Sequence, residues 1–179
     1  LTILHNKLKS KINVKKEYDT SLPEIMGYGS ELNQVWTNIL DNAIDALQEV
    51  DDPQIIIRTK QESDWIVVEI EDNGPGIPEE ARSNIFDAFF TTKPPGKGTG
   101  LGLNISYNIV VQKHRGDIKV RSKPGQTVFE VWLPINFEEV ESGDTPMPAT
   151  RQIDDEMKKS ILESVTIFAR FIEPRLQLS

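Results

Sequence analysis

Two asparagines in the run Asn38-Ile39-Leu40-Asp41-Asn42-Ala43 stand four residues apart. In a helix that spacing turns both side chains the same way. An amide carbonyl is a hard oxygen ligand suited to magnesium, and an amide NH2 can donate to a phosphate oxygen. Among apolar neighbours two amides are costly unless they find partners; the alternative is that they mark the polar edge of the helix. A second segment, Asp72-Asn73-Gly74-Pro75-Gly76-Ile77-Pro78, directly follows a strand-like stretch. Its glycines reach backbone angles closed to other residues, so the chain can turn sharply and approach a ligand closely. The Asp72 carboxylate can accept from an amino group such as the exocyclic amine of adenine, although Asp-Asn-Gly is also an ordinary turn. The third segment is Thr91-Thr92-Lys93-Pro94-Pro95-Gly96-Lys97-Gly98-Thr99-Gly100-Leu101-Gly102-Leu103. Gly98, Gly100 and Gly102 alternate just where an apolar helix begins, and free N–H groups at a helix start bind anions. Lys93 and Lys97 add positive charge. The pattern is neither a Walker A loop nor a dinucleotide fingerprint, which would follow a strand.

These segments need elements to hold them. Leu32, Val35, Trp36, Ile39, Leu40, Ala43, Ile44 and Leu47 recur at helical period, with Ser30 as the expected N-cap and an end near Val50, before Asp51-Asp52-Pro53. Ile12, Val14, Lys16 and Tyr18 alternate as in a strand. Two more strands are expected at 54–60 and 65–71, joined by a turn at 61–64. A short helix is expected at 79–85, a long loop at 87–99 that could serve as a lid, and a helix at 101–112. A hairpin at 116–122 and 127–133 turns at Lys123-Pro124-Gly125-Gln126.

Residues 1–11 read as the tail of a helix, with Leu1, Leu4 and Leu8 in line, and the N-terminus reads as the middle of a longer protein. A core domain is expected over 12–136 and an acidic, proline-containing linker over 137–150. A helix over 151–174 carries Ile153, Met157, Ile161, Val165, Phe168 and Ile172 on one stripe. That helix could pack on its own domain, self-associate or open a further domain. The 179 residues hold 37% hydrophobic and 27% charged residues, as in a globular protein, and no cysteine. A disulfide framework and a cysteine zinc site are therefore excluded. A net charge of −8 argues against nucleic acid or an anionic membrane as partner. No apolar run approaches the ~20 residues that span a bilayer.

In order and spacing the segments resemble the GHKL ATPase/kinase superfamily, and most closely the catalytic domain of bacterial sensor histidine kinases. The asparagine helix is similar to the N box and Asp72 to Gly76 to the first glycine box. Phe86, Phe89 and Phe90 with Thr91-Thr92-Lys93 resemble the phenylalanine box, and Gly98 to Gly102 the second glycine box. Ala88 stands where the family often has proline. The resemblance implies a two-layer α/β sandwich of the Bergerat type, a mixed sheet packed on helices, with ATP between the helix layer and a lid. It implies that Asp72 binds the adenine amine, Asn42 holds Mg2+ and Asn38 contacts the phosphates. Gly74 and Gly76 would make room for the base beside Ile77 and Phe90. Thr91, Thr92 and the segment Gly98, Thr99, Gly100, Leu101, Gly102 and Leu103 would surround the phosphates, with Lys93 or Lys97 at the terminal one.

Hydrolases of the superfamily carry a glutamate as general base four residues before the magnesium asparagine. Here that residue is Asn38, and an amide cannot take a proton from water near neutral pH. The resemblance therefore implies a cytoplasmic kinase domain whose nucleophile is a histidine on a separate dimerisation domain, with a response regulator reached indirectly. The alternative is an ATP-sensing module without transfer. His5 lacks the acidic neighbour of a phosphoacceptor and is expected at the surface. His114 is expected to be structural, in the turn before the last hairpin.

Overall fold

The computed structural model describes residues 12–25, 27–96 and 98–136. The expected helices at 1–11 and 151–174, the linker at 137–150, His5 and Lys97 lie outside the described residues. The fold is a five-stranded mixed sheet covered on one face by helices. Strand β1 (Asn13–Tyr18) runs parallel to β2 (Gln54–Glu62). Helix α1 (Gly29–Ala46) makes the connection between them. β2 pairs antiparallel with β3 (Trp65–Asp72), and β3 with β5 (Gln126–Pro134). β4 (Asp117–Lys123) closes the edge beside β5, so the spatial order is β1-β2-β3-β5-β4.

The core follows from two periodicities. Helical spacing puts Leu32, Val35, Trp36, Ile39, Leu40 and Ala43 of α1 on one buried stripe. Alternation in the strands turns Ile55 and Ile57 of β2, Ile66, Val68 and Ile70 of β3, and Phe129, Val131 and Leu133 of β5 towards it. The other sheet face carries ion pairs across neighbouring strands: Arg58 with Glu17 at 2.6 Å and Glu71 at 2.5 Å, Lys60 with Glu69 at 2.9 Å, and Arg121 with Glu130 at 2.6 Å. None of the helices described is long and apolar enough to cross a membrane.

Three local expectations are corrected. Ser30 is not the cap of α1. The helix starts at Gly29 behind Tyr28, whose carbonyl accepts from the Glu31 and Leu32 N–H groups, and no side chain caps it. The Tyr28 N–H donates instead to His114 Nε2 at 3.0 Å, so a tertiary contact fixes the helix start. α1 also ends at Ala46 and passes through a turn before Val50. The helix foreseen at 101–112 splits into α3 (Gly102–Tyr107) and a π-helical turn over Asn108–Lys113; the short α2 (Glu79–Arg82) precedes both. The wide turn carries His114 inward, 1% exposed, where Nδ1–H donates to the Ile109 carbonyl at 2.8 Å. With both ring nitrogens engaged, His114 is part of the core packing.

Ile39 is fully buried between α1 and the sheet. Ile39→Ala should lower unfolding free energy by about 2–5 kcal/mol in urea denaturation, whereas Glu49→Ala, on the exposed turn after α1, should change it by less than about 0.5 kcal/mol. Equal effects would mean that α1 does not carry the core.

Candidate functional site

Burying the apolar stripe of α1 points its other stripe at the end of β3 and the loop before α3. A cleft of about 540 Å³ opens there. Asn38 and Asn42 line it from α1. Asp72, Gly76 and Ile77 line it from the end of β3. Phe90, Thr91, Thr92, Lys93, Gly98, Thr99, Gly100, Gly102 and Leu103 line it from the loop and the start of α3. The three segments singled out in sequence thus meet at one place. Gly74 and Leu101 stand behind this wall rather than on it. A Cβ at Gly74 would lie 2.8 Å from Asp72 Oδ1 and 3.1 Å from the Ala46 Cβ. The missing side chain there leaves room for the Asp72 carboxylate and for α1. The Leu101 carbonyl accepts from the Ile105 N–H as α3 begins.

Asp72 is the most perturbed group. It is 4% exposed at the last position of β3, and its Oδ1 accepts the Gly74 N–H at 2.9 Å. Burial pushes its pKa up to about 6, with the neighbouring Glu71 charge adding to the rise and the Gly74 N–H opposing it. Such a carboxylate stays ionised and accepting at neutral pH, yet keeps unspent hydrogen-bonding capacity facing the cleft. The turn after it is clamped from several sides. Asn73 Oδ1 accepts the Gln54 N–H at 2.7 Å, and the Gly74 carbonyl accepts from Gly125 N–H. Gly76 has φ +88, and a Cβ there would come within 2.6 Å of the Lys123 carbonyl oxygen. Its freedom therefore lets the turn lie against the β4–β5 hairpin.

Asn38 and Asn42 have different partners. Asn38 Nδ2 donates to the Gly102 carbonyl at 2.9 Å and to Ser106 Oγ at 3.1 Å. Both amide hydrogens are thus committed to α3, and in this conformation none remains to donate to a phosphate. Asn38 positions the glycine segment against α1. Asn42 Oδ1 accepts from Lys93 Nζ at 3.1 Å, and the same ammonium meets Asp45 Oδ2 at 2.5 Å. Asn104 Nδ2 donates to the Phe86 carbonyl at 2.9 Å, tying α3 to the aromatic segment. Gly100, at φ +66, receives the Phe89 N–H at 2.8 Å, and a Cβ there would fall 2.4 Å from the Phe89 carbonyl carbon. Phe89 is itself left-handed, at φ +67.

Among the described residues no group of three or more His, Cys, Asp or Glu could hold a metal by itself. Asn42 Oδ1 with Asp41 and Asp45 on the same wall offers hard oxygens, which suits a magnesium ion that draws its remaining ligands from water and phosphate. Three polar lining groups were not foreseen: Asp41, Asp45 and Thr127. Thr127 pairs in register with Asp72 across β3 and β5, is 4% exposed, and lies 2.9 Å from Ser122 Oγ, which accepts the Ile77 N–H. Nothing local in the sequence reveals that pairing. Asp45 was within reach, since 38, 41, 42 and 45 form one stripe at helical spacing.

Residues 27–136 match the family described as histidine kinase-, DNA gyrase B-, and HSP90-like ATPase. The chain belongs to this family. Its sequence is similar to the sensory histidine kinase/phosphatase NtrB of Azospirillum brasilense, 37% identical over 148 residues, which cover 75% of this chain and 36% of that protein. The chain therefore spans well under half the length of that curated relative. Among solved structures, the catalytic domain of histidine kinase ThkA is 33% identical with a TM-score of 0.62, covering 70% of this chain and 81% of that one. Histidine kinase ThkA in complex with response regulator protein TrrA aligns at 29% identity and a TM-score of 0.60, covering 72% of this chain and 36% of that one. As a histidine kinase-type ATPase domain, the protein has the two-layer sandwich that the resemblance implied.

The Asp72 environment has a measurable cost. The folded state keeps its proton at pH values where the unfolded chain has lost it. Asp72's own contribution to stability is therefore full below about pH 4 and is lost as pH rises through about 6. Asp72→Asn keeps an oxygen for the Gly74 N–H and removes the buried charge. In the empty protein it should raise unfolding free energy by roughly 1–3 kcal/mol at pH 7.5, with the gain gone near pH 4. A lowered thermal midpoint at pH 7.5 would contradict the raised pKa.

Proposed function

We propose that the cleft binds ATP with Mg2+ and presents the terminal phosphate to a histidine on a separate dimerisation domain of a longer protein, from which a response regulator is served. Asn38 carries this reading. It occupies the place where hydrolysing relatives have a glutamate, it cannot accept a proton from water near neutral pH, and its N–H groups are bound to α3. The nucleotide is held for an external nucleophile.

On this reading each segment has a task. Asp72 accepts from the adenine amine in a buried setting where that bond discriminates against bases lacking the donor. Thr127 and Ile77 flank it, and Phe90 packs near the base. The amides of 98–102 lie along the phosphates, beside Thr91 and Thr92, and Lys93, with Lys97, reaches the terminal one. Asn42 holds Mg2+, which when bound neutralises phosphate charge. The chain's own contribution is positioning and charge complementarity rather than acid–base chemistry. On this reading the domain works in the cytoplasm, where ATP is supplied.

Transfer of labelled phosphate from ATP to a supplied histidine-bearing dimerisation domain tests the proposal. The wild type should transfer, and Asn42→Ala should reduce the rate roughly a hundredfold or more while abolishing the magnesium-dependent part of ATP binding. Transfer retained by Asn42→Ala would overturn the assigned metal role. Asp72→Ala should abolish ATP binding; retained affinity would overturn the adenine contact.

A further inference from the structure

The cleft proposed for a polyanion is itself acidic. Its described lining includes Asp41, Asp45 and Asp72, and Lys93 is the only basic residue among them. That single cation is not free to meet a phosphate. Its ammonium lies 2.5 Å from Asp45 Oδ2 and 3.1 Å from Asn42 Oδ1. Asp45 sits three residues after Asn42 on α1, so the two oxygens face the same way and grip one ammonium between them. Lys93 belongs to the loop between α2 and α3, and its backbone N–H is braced by Thr91 Oγ1 at 3.1 Å. The contact therefore ties that loop to the wall of α1.

We propose that Asp45 is a positioning residue: with Asn42 it latches Lys93 to α1, so that the site favours metal-loaded over metal-free nucleotide. This rests on the proposed nucleotide reading and adds a role for a residue to which the resemblance assigned none. A nucleotide arriving without a divalent cation meets carboxylates and a lysine already neutralised by one of them. A divalent cation competes with the ammonium for Asn42 Oδ1, since two cations so close repel strongly in a partly buried site. Lys93 then loses one of its two holds on α1, which loosens the loop that carries it.

Two measurements on the same proteins test this. The first is calorimetric affinity for the non-hydrolysable imido analogue of ATP, with Mg2+ and with EDTA. Asp45→Asn should tighten metal-free binding by about threefold to tenfold and shrink the gain from Mg2+, because Lys93 is released to the phosphates. Lys93→Met should act in the opposite sense and weaken metal-free binding. The second is hydrogen exchange in the empty protein over residues 87–96, which should quicken in Asp45→Asn. Unchanged exchange, with only the affinities altered, would reduce Asp45 to a simple charge and overturn the latch. An unchanged ratio of the two affinities would overturn it as well. If the wild type binds no analogue under either condition, the nucleotide reading fails, while the exchange arm still decides the latch.

Discussion

One helix has to satisfy two surfaces at once. The burial of Val35, Trp36 and Ile39 in the core between α1 and the sheet fixes the rotation of α1. Because side chains three and four apart share a face, that rotation also fixes where Asn38, Asn42 and Asp45 point. The cleft is therefore not an independent construction on the surface. Its polar wall is the back of the core helix, so the placing of the cleft's polar groups derives from hydrophobic packing. The same economy holds at Asp72: the strand that supplies Ile66, Val68 and Ile70 to the core ends with its next inward position, a carboxylate held 4% exposed.

What the sequence shows and what it hides follow from the range of the interactions. Short-range signals were legible. The stripe of α1, the strands of the β2–β3 hairpin and the Pro124-Gly125 turn each rest on residues close in the chain, and the structure places them within a residue or two of expectation. The start of α1 was misread because a hydroxyl cap at Ser30 is a local rule, whereas His114, 86 positions from Tyr28, anchors that start instead. Thr127 was missed for the same reason, since it reaches Asp72 through a β3–β5 pairing that no local pattern encodes. The π turn was also invisible; it reflects where His114 must lie, not the propensities of Asn108 to Lys113.

At the site, residue types were readable but partners were not. The resemblance gave Asn38 to the phosphates and Asn42 to Mg2+, whereas in the structure one amide ties α3 to α1 and the other faces a lysine from the loop. Only distances separate these. The division bears on chemistry: a helix that offers a carbonyl oxygen at Asn42, and no base at Asn38, suits charge neutralisation without water activation. Family membership, through residues 27–136, agrees with the fold and leaves the assignment of each side chain to the geometry.

The central claim is that α1, the turn after β3 and the glycine segment before α3 enclose a single magnesium-bound adenine nucleotide. Amide chemical shifts of the isotope-labelled protein, titrated with the imido analogue of ATP in the presence of Mg2+, test it most directly. The account predicts saturable shifts concentrated at Asn42, Asp72, Gly76, Lys93 and Gly100, with the outer sheet face around Arg58 and Glu130 silent. Absence of saturable shifts, or shifts confined to that outer face, would contradict it.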